Sequence, residues 1–169
     1  MPRFNNSKFL EGIVVPGASV RHCTEAEAAA LTAAWLAAFC PDRERERERV
    51  NATGPRGFLW HIFSAGRYPC VEREDARSLY RLQHAAEYMV LLNDARTAVS
   101  TDALPLEVPL ADYCVFPPNL AWTMAFTHEA GWLGPYFAKH ARFDELSKRN
   151  VLLLRKKQAA EAAKAKGWQ

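Results

Sequence analysis

The sequence lacks the short motifs by which several large enzyme classes are recognised. Its 169 residues contain no Gly-x-Ser-x-Gly turn, no phosphate-binding glycine loop and no Gly-x-Gly-x-x-Gly fingerprint. Those motifs position a serine nucleophile, a nucleotide phosphate and a dinucleotide. Serine hydrolases of the α/β type, P-loop nucleotide hydrolases and Rossmann dehydrogenases are therefore disfavoured.

Cysteine is scarce, and the four cysteines lie far apart in the chain. Cys23, Cys40, Cys70 and Cys114 form no Cys-x-x-Cys pair, so neither a zinc ribbon nor a thioredoxin-type site is expected. Free thiols in a reducing compartment are the simpler interpretation, which predicts a cytoplasmic protein. The sequence predicts no cofactor.

Long apolar runs are also missing. The only apolar run near the start is Ile13–Val15, which predicts no secretory signal. The longest nearly uncharged stretch, Ala28–Cys40, is shorter than the roughly 20 residues that cross a bilayer. It is predicted to be a core helix, and no membrane partner is expected.

Charge is nearly balanced, with 22 Lys and Arg against 19 Asp and Glu. A net charge of +3 does not by itself indicate a nucleic-acid or membrane partner. The alternating segment Arg43–Arg49 is interpreted as a solvated helix or loop, or as an electrostatic strip for a partner. The stretch 148–166 has seven basic residues and one acid, Glu161. It is interpreted as a solvated helix end, a helix that docks on a partner, or a nucleic-acid contact.

The order of apolar patterns predicts a mixed α/β (α+β) fold in one domain, 1–169, with a basic helical tail at 144–169 that is partly detached. A capping box at Thr24 and Glu27 starts the first predicted helix. The sheet is predicted to be small, mostly antiparallel or mixed, and covered by two or three helices. The predicted elements are helices at Thr24–Cys40, Glu72–Leu92 and 144–166, a turn at Asn51–Gly57, a strand at Phe58–Phe63, and a hairpin of Asp112–Phe116 with Trp122–Thr127.

Four short segments resemble a small bacterial family of uncharacterised domains. The family's pattern is W-H-x-F-S, W-T, T-H-E and G-P-Y-F in this order. The matching segments are Trp60-His61-Ile62-Phe63-Ser64, Trp122-Thr123, Thr127-His128-Glu129 and Gly134-Pro135-Tyr136-Phe137. The segment Asp112-Tyr113-Cys114-Val115-Phe116, between the first and the second of them, belongs to the same resemblance. The resemblance covers roughly Thr24 to Phe137. It implies a bacterial α/β protein and no established reaction.

The same residues supply the candidate site. Strand alternation places His128 at the end of the apolar row of Trp122, where the strand becomes a loop. His61, Glu129 and Tyr136 are the side chains predicted to converge with it. An imidazole with a carboxylate can transfer protons near neutral pH, and two His with one carboxylate is a minimal metal set. His128 as a loop anchor and His61 as a core histidine are the competing interpretations.

Two hypotheses for function follow. The favoured one is a non-enzymatic cytosolic module that binds another protein, such as a toxin-neutralising immunity protein, because no strong catalytic motif is present. Trp60, Trp122, Trp132 and Tyr136 are its predicted binding residues. The alternative is a small hydrolase or metal-binding enzyme that uses a pocket of His61, His128 and Glu129.

Overall fold

The chain is described by a computed structural model for residues 6–40 and 57–167. The alternating segment Arg43–Arg49 and nearly all of the predicted turn at Asn51–Gly57 lie outside these residues. The described elements, in chain order, are α1 (Asn6–Ile13), β1 (Val20–His22), α2 (Glu25–Phe39), α3 (His61–Ser64), β2 (Val71–Glu72), α4 (Arg73–Arg81), β3 (Tyr88–Leu92), β4 (Ala98–Thr101), β5 (Tyr113–Phe116), β6 (Trp122–Phe126), β7 (Tyr136–Lys139) and α5 (Phe143–Ala165).

All described strands join one antiparallel sheet in the order β1-β4-β3-β5-β6-β7-β2. Every residue of β3, β5 and β6 is buried. Strands covered on both faces need apolar side chains at successive positions, which explains the unbroken run Tyr88–Leu92. The mixed α/β class with an antiparallel sheet and a C-terminal helix is confirmed.

Helices cover both faces of the sheet, so that two cores form. Val90, Val115 and Met124 enter the core that α1, α4 and the start of α5 complete. Their neighbours Leu91 and Cys114 enter the opposite core, against α2 and α3. Burial in this second core raises the pKa of the Cys114 thiol well above its usual range.

Three predicted elements are confirmed. Thr24 and Glu27 form the capping box that starts α2: the Thr24 side chain accepts from the backbone N–H of Glu27, and the Glu27 carboxylate accepts from that of Thr24. β5 and β6 pair as an antiparallel hairpin. The C-terminal helix spans 143–165.

Two predicted elements are wrong. The strand predicted at Phe58–Phe63 is a turn followed by α3, in which Trp60 and Phe63 are buried while His61 is exposed. A short apolar run fits a buried strand and a buried helical turn equally well, so periodicity does not separate them. The helix predicted at Glu72–Leu92 ends at Arg81, and its last five residues form the strand β3.

Candidate functional site

The candidate site lies where three central strands reach one end of the sheet. Tyr113 opens β5 and faces Phe126, the last residue of β6. Asp112 and Thr127 therefore lie at this same end, and the backbone N–H of Asn93, just after β3, donates to the Asp112 carbonyl. We call the group formed by Trp60, Asp112, His128 and Glu129 the sheet-end site.

The Asp112 carboxylate is the centre of the sheet-end site. Its Oδ1 accepts from the indole Nε1 of Trp60 at 2.9 Å and from the backbone N–H of His128 at 3.1 Å. Nδ1 of His128 lies 2.9 Å from both carboxylate oxygens. The Asp112 side chain is only 16% exposed, and burying a carboxylate is costly unless donors of this kind surround it. One side chain thus joins α3, β5 and the end of β6.

The imidazole of His128 lies between two carboxylates. An ionised Asp112 can only accept, so the proton on Nδ1 is donated to it and a neutral ring presents its lone pair on Nε2. That Nε2 lies 3.6 Å from Oε1 of Glu129, and both side chains are about one-third exposed. A partly exposed imidazole whose tautomer is fixed by a carboxylate is suited to accepting and returning a proton.

The aromatic pair Phe58 and Trp60 lies between His61 and His128. The rings of Phe58 and Trp60 stack at 5.6 Å. His128 lies against Phe58 at 5.1 Å, and His61 stacks on Trp60 at 4.2 Å. Among the described residues no hydrogen bond or ion pair links the two imidazoles. Nor does that part of the chain hold three or more His, Cys, Asp or Glu side chains placed to bind a metal ion.

Tyr136 and Trp122 are both buried, and neither is part of the sheet-end site. Tyr136 is 2% exposed and stacks on Trp60 at 6.4 Å. Burial raises the pKa of its phenol, so Tyr136 stays protonated at neutral pH. Trp122 is 1% exposed and belongs to the core on the opposite face. The structure does not bring Trp122 together with the other candidates.

Trp132 is 75% exposed although the loop that carries it is extensively hydrogen-bonded. The carbonyl of Glu129 accepts from the backbone N–H groups of Gly131, Trp132 and Leu133 at 2.8–2.9 Å. The hydroxyl of Thr127 donates to the Leu133 carbonyl at 2.6 Å. Loop 128–134 is therefore fixed at both ends and at its centre, directly beside the sheet-end site.

Asp112 is the residue that the sequence interpretation missed. The only signal for it was the predicted hairpin: a residue just before one strand faces the residue just after its partner, so Asp112 and the end of β6 share an edge. The alternation argument also placed His128 on the face of Trp122. The chain turns after Phe126 instead, and the ring of His128 packs on Phe58 and Trp60.

Comparison with known families shows to which family the chain belongs. Residues 28–137 match a domain of unknown function, DUF4275. The chain belongs to the DUF4275 family. This match confirms the resemblance to a family of uncharacterised domains. The DUF4275 match includes every residue of the sheet-end site and of loop 128–134, and it ends before α5. No curated protein and no solved structure matches the chain.

Proposed function

We propose that this DUF4275 protein acts by binding another protein through loop 128–134 and the adjoining sheet-end site. The observation that carries the proposal is Trp132, a residue that is 75% exposed on a hydrogen-bonded loop. Tryptophan is enriched among the few residues that supply most of the binding energy of an interface. A loop already fixed in place loses little conformational entropy when a partner docks, which favours affinity.

The polar groups around Trp132 suit the rim of such an interface. Glu129 within the loop and Arg73 beside it supply charges of both signs, and Arg73 donates to the Trp132 carbonyl at 3.3 Å. A central aromatic anchor with a mixed polar rim is the usual anatomy of a specific protein interface. In this interpretation Asp112 and His128 anchor the loop.

Within protein binding, we favour neutralisation of a bacterial toxin. A small protein with one prearranged surface can block a partner by occupying it and needs no reaction of its own. The first experiment is to examine the neighbouring genes for a toxin, purify its domain and measure binding to this protein by calorimetry.

A pair of variants makes that measurement specific. Trp132→Ala should weaken binding at least about 30-fold, as expected for an interface anchor. Leu82→Ala removes another exposed side chain, at the end of α4, and should leave affinity within about twofold. Equal affinities for the two variants would contradict this interface.

The second candidate function is acid–base catalysis at His128. It is favoured by the contact of Nδ1 with Asp112, which leaves Nε2 as a proton acceptor next to Glu129. Such a group would activate water in a small hydrolase. The test is a panel of ester, amide and phosphoester substrates: turnover lost in His128→Gln and kept in Trp132→Ala would favour the enzyme over the binding protein.

A further inference from the structure

Helix α5 lies outside the family match and presents one continuous basic face to solvent. Its inward residues are Leu146 and Asn150, which are buried, and Lys157, whose ammonium donates to the Ala86 carbonyl at 3.3 Å. At 3.6 residues per turn, Leu152 lies on the outward side of the helix. It is 56% exposed.

The basic side chains form two rows around that outward position. Helical spacing places Lys148, Arg155 and Lys166 in one row and Arg149 and Lys156 in the other. We call these five residues the basic face. The line between the rows holds Leu152, Ala159 and Ala163, and the one acid after residue 148, Glu161, lies on the other side of the helix.

Most of this charge has no partner of its own. Among the described residues, no acidic side chain forms an ion pair with Lys148, Arg155 or Lys156. Arg149 is paired with Glu145 one turn earlier. An uncompensated basic face about 27 Å long, at 1.5 Å per residue, is an electrostatic footprint for an extended polyanion.

We propose that α5 binds duplex DNA, with its outward side in the major groove. That groove is about 12 Å wide and admits one α-helix. Ala159 and Ala163 between the rows allow close approach to the bases, while each basic row reaches the phosphates of one strand. An anionic membrane is less suitable, because only Leu152 and Leu153 offer large apolar groups.

The experiment measures anisotropy of a fluorescein-labelled 20-base-pair duplex of mixed sequence with the full chain. With four to five phosphates neutralised, the logarithm of the association constant should fall with the logarithm of salt at a slope of about −4. The affinity should therefore drop about 250-fold from 50 to 200 mM salt. No binding at 50 mM salt would overturn the proposal.

Two double variants with the same loss of charge test the face itself. Arg155→Ala/Lys156→Ala should weaken binding at least about tenfold and make the slope shallower by about 2. Lys8→Ala/Lys164→Ala removes two exposed charges away from the face and should change affinity less than about threefold. Equal losses in both would overturn the proposal.

A third variant separates DNA from the other partners. Leu152→Ser/Leu153→Ser should leave DNA affinity within about threefold, because contacts of basic side chains with the DNA phosphates dominate that affinity. Binding to phosphatidylserine vesicles that this variant abolishes, together with no binding to the duplex, would assign the face to lipid. Failure of the toxin-binding proposal leaves these outcomes unchanged, since Trp132 takes no part in them.

Discussion

The two ends of the sheet are built in different ways. At one end, segments distant in sequence meet on Asp112, and the loop that carries Trp132 is fixed beside them. At the other end, α5 is attached through Asn119, Asn150 and Lys157, while its outward side is solvated. The structure of the first end depends on contacts between segments that are distant in sequence. At the second end, the spacing of residues along one helix determines which side chains face the protein and which face solvent.

This difference determines how each end should respond to substitution. A carboxylate that serves three donors is shared, so its loss affects several segments at once. A helix held by a few contacts along one side responds locally, since its remaining turns are stabilised by their own backbone. Within residues 6–40 and 57–167, no helix is long and apolar enough to cross a membrane.

The largest effect is expected for Gly134→Ala, at the end of loop 128–134. Gly134 has a φ of +78°, and a Cβ there would lie 2.9 Å from Tyr136 Cε2 and 3.0 Å from Thr127 Cγ2. Strain and overlap together should lower the free energy of unfolding by about 2–4 kcal/mol, measured by urea denaturation.

The matched control is Gly131→Ala in the same loop. No atom lies within 4 Å of its Cβ position, and its φ is outside the left-handed region. The unfolding free energy should change by less than about 0.5 kcal/mol. If both glycines tolerate alanine equally, loop 128–134 is not held as described.

Asp112→Ala should follow, with a loss of about 2–3 kcal/mol in unfolding free energy. The indole N–H of Trp60 and the backbone N–H of His128 would both lose their acceptor. Asp112→Asn keeps an acceptor oxygen but not the charge, so it should cost less. Asp102→Ala, at a carboxylate 36% exposed near the other end, is the control and should cost under about 1 kcal/mol. A loss at Asp112 no larger than this would contradict its central role.

Periodic and local signals were predictable from the sequence. The capping box of Thr24 and Glu27 needs only residues three apart, and the C-terminal helix needs only its own spacing and composition. Both were correct because neither depends on which distant segment packs against it. The hairpin of β5 and β6 was also predictable, because a short turn joins its two strands.

The predictions were wrong where contacts with distant parts of the chain determine the local structure. Trp60 is part of a helical turn because its indole reaches Asp112, more than fifty residues later in the chain, and nothing local indicates this. Tyr88–Leu92 continued an apolar helical stripe, yet it is buried between β4 and β5. His128 was identified as a candidate, whereas its partner Asp112 required knowledge of strand register.

A smaller effect is expected at the attachment of α5. Asn119 donates through Nδ2 to the Leu146 carbonyl at 3.0 Å, and its Oδ1 accepts from Asn150 Nδ2 and from the backbone N–H of Ala121. Asn119→Ala should lower the unfolding free energy by about 1–1.5 kcal/mol. Amide exchange should accelerate in the first half of α5 and stay unchanged at the sheet-end site. Equal acceleration at both ends would mean that the two are coupled.

The smallest effect is expected at Lys157, which attaches α5 to the loops before β3 and after β4. Its ammonium contacts the Ala86 carbonyl and, at 3.6 Å, Asp102, and both charged side chains are 36% exposed. Lys157→Met keeps the apolar stem, so the unfolding free energy should change by less than about 0.5 kcal/mol. Because this contact precedes the solvated turns of α5, amide exchange should rise only after residue 154. Exchange that stays unchanged there would show that helix propensity alone holds the end of α5 in place.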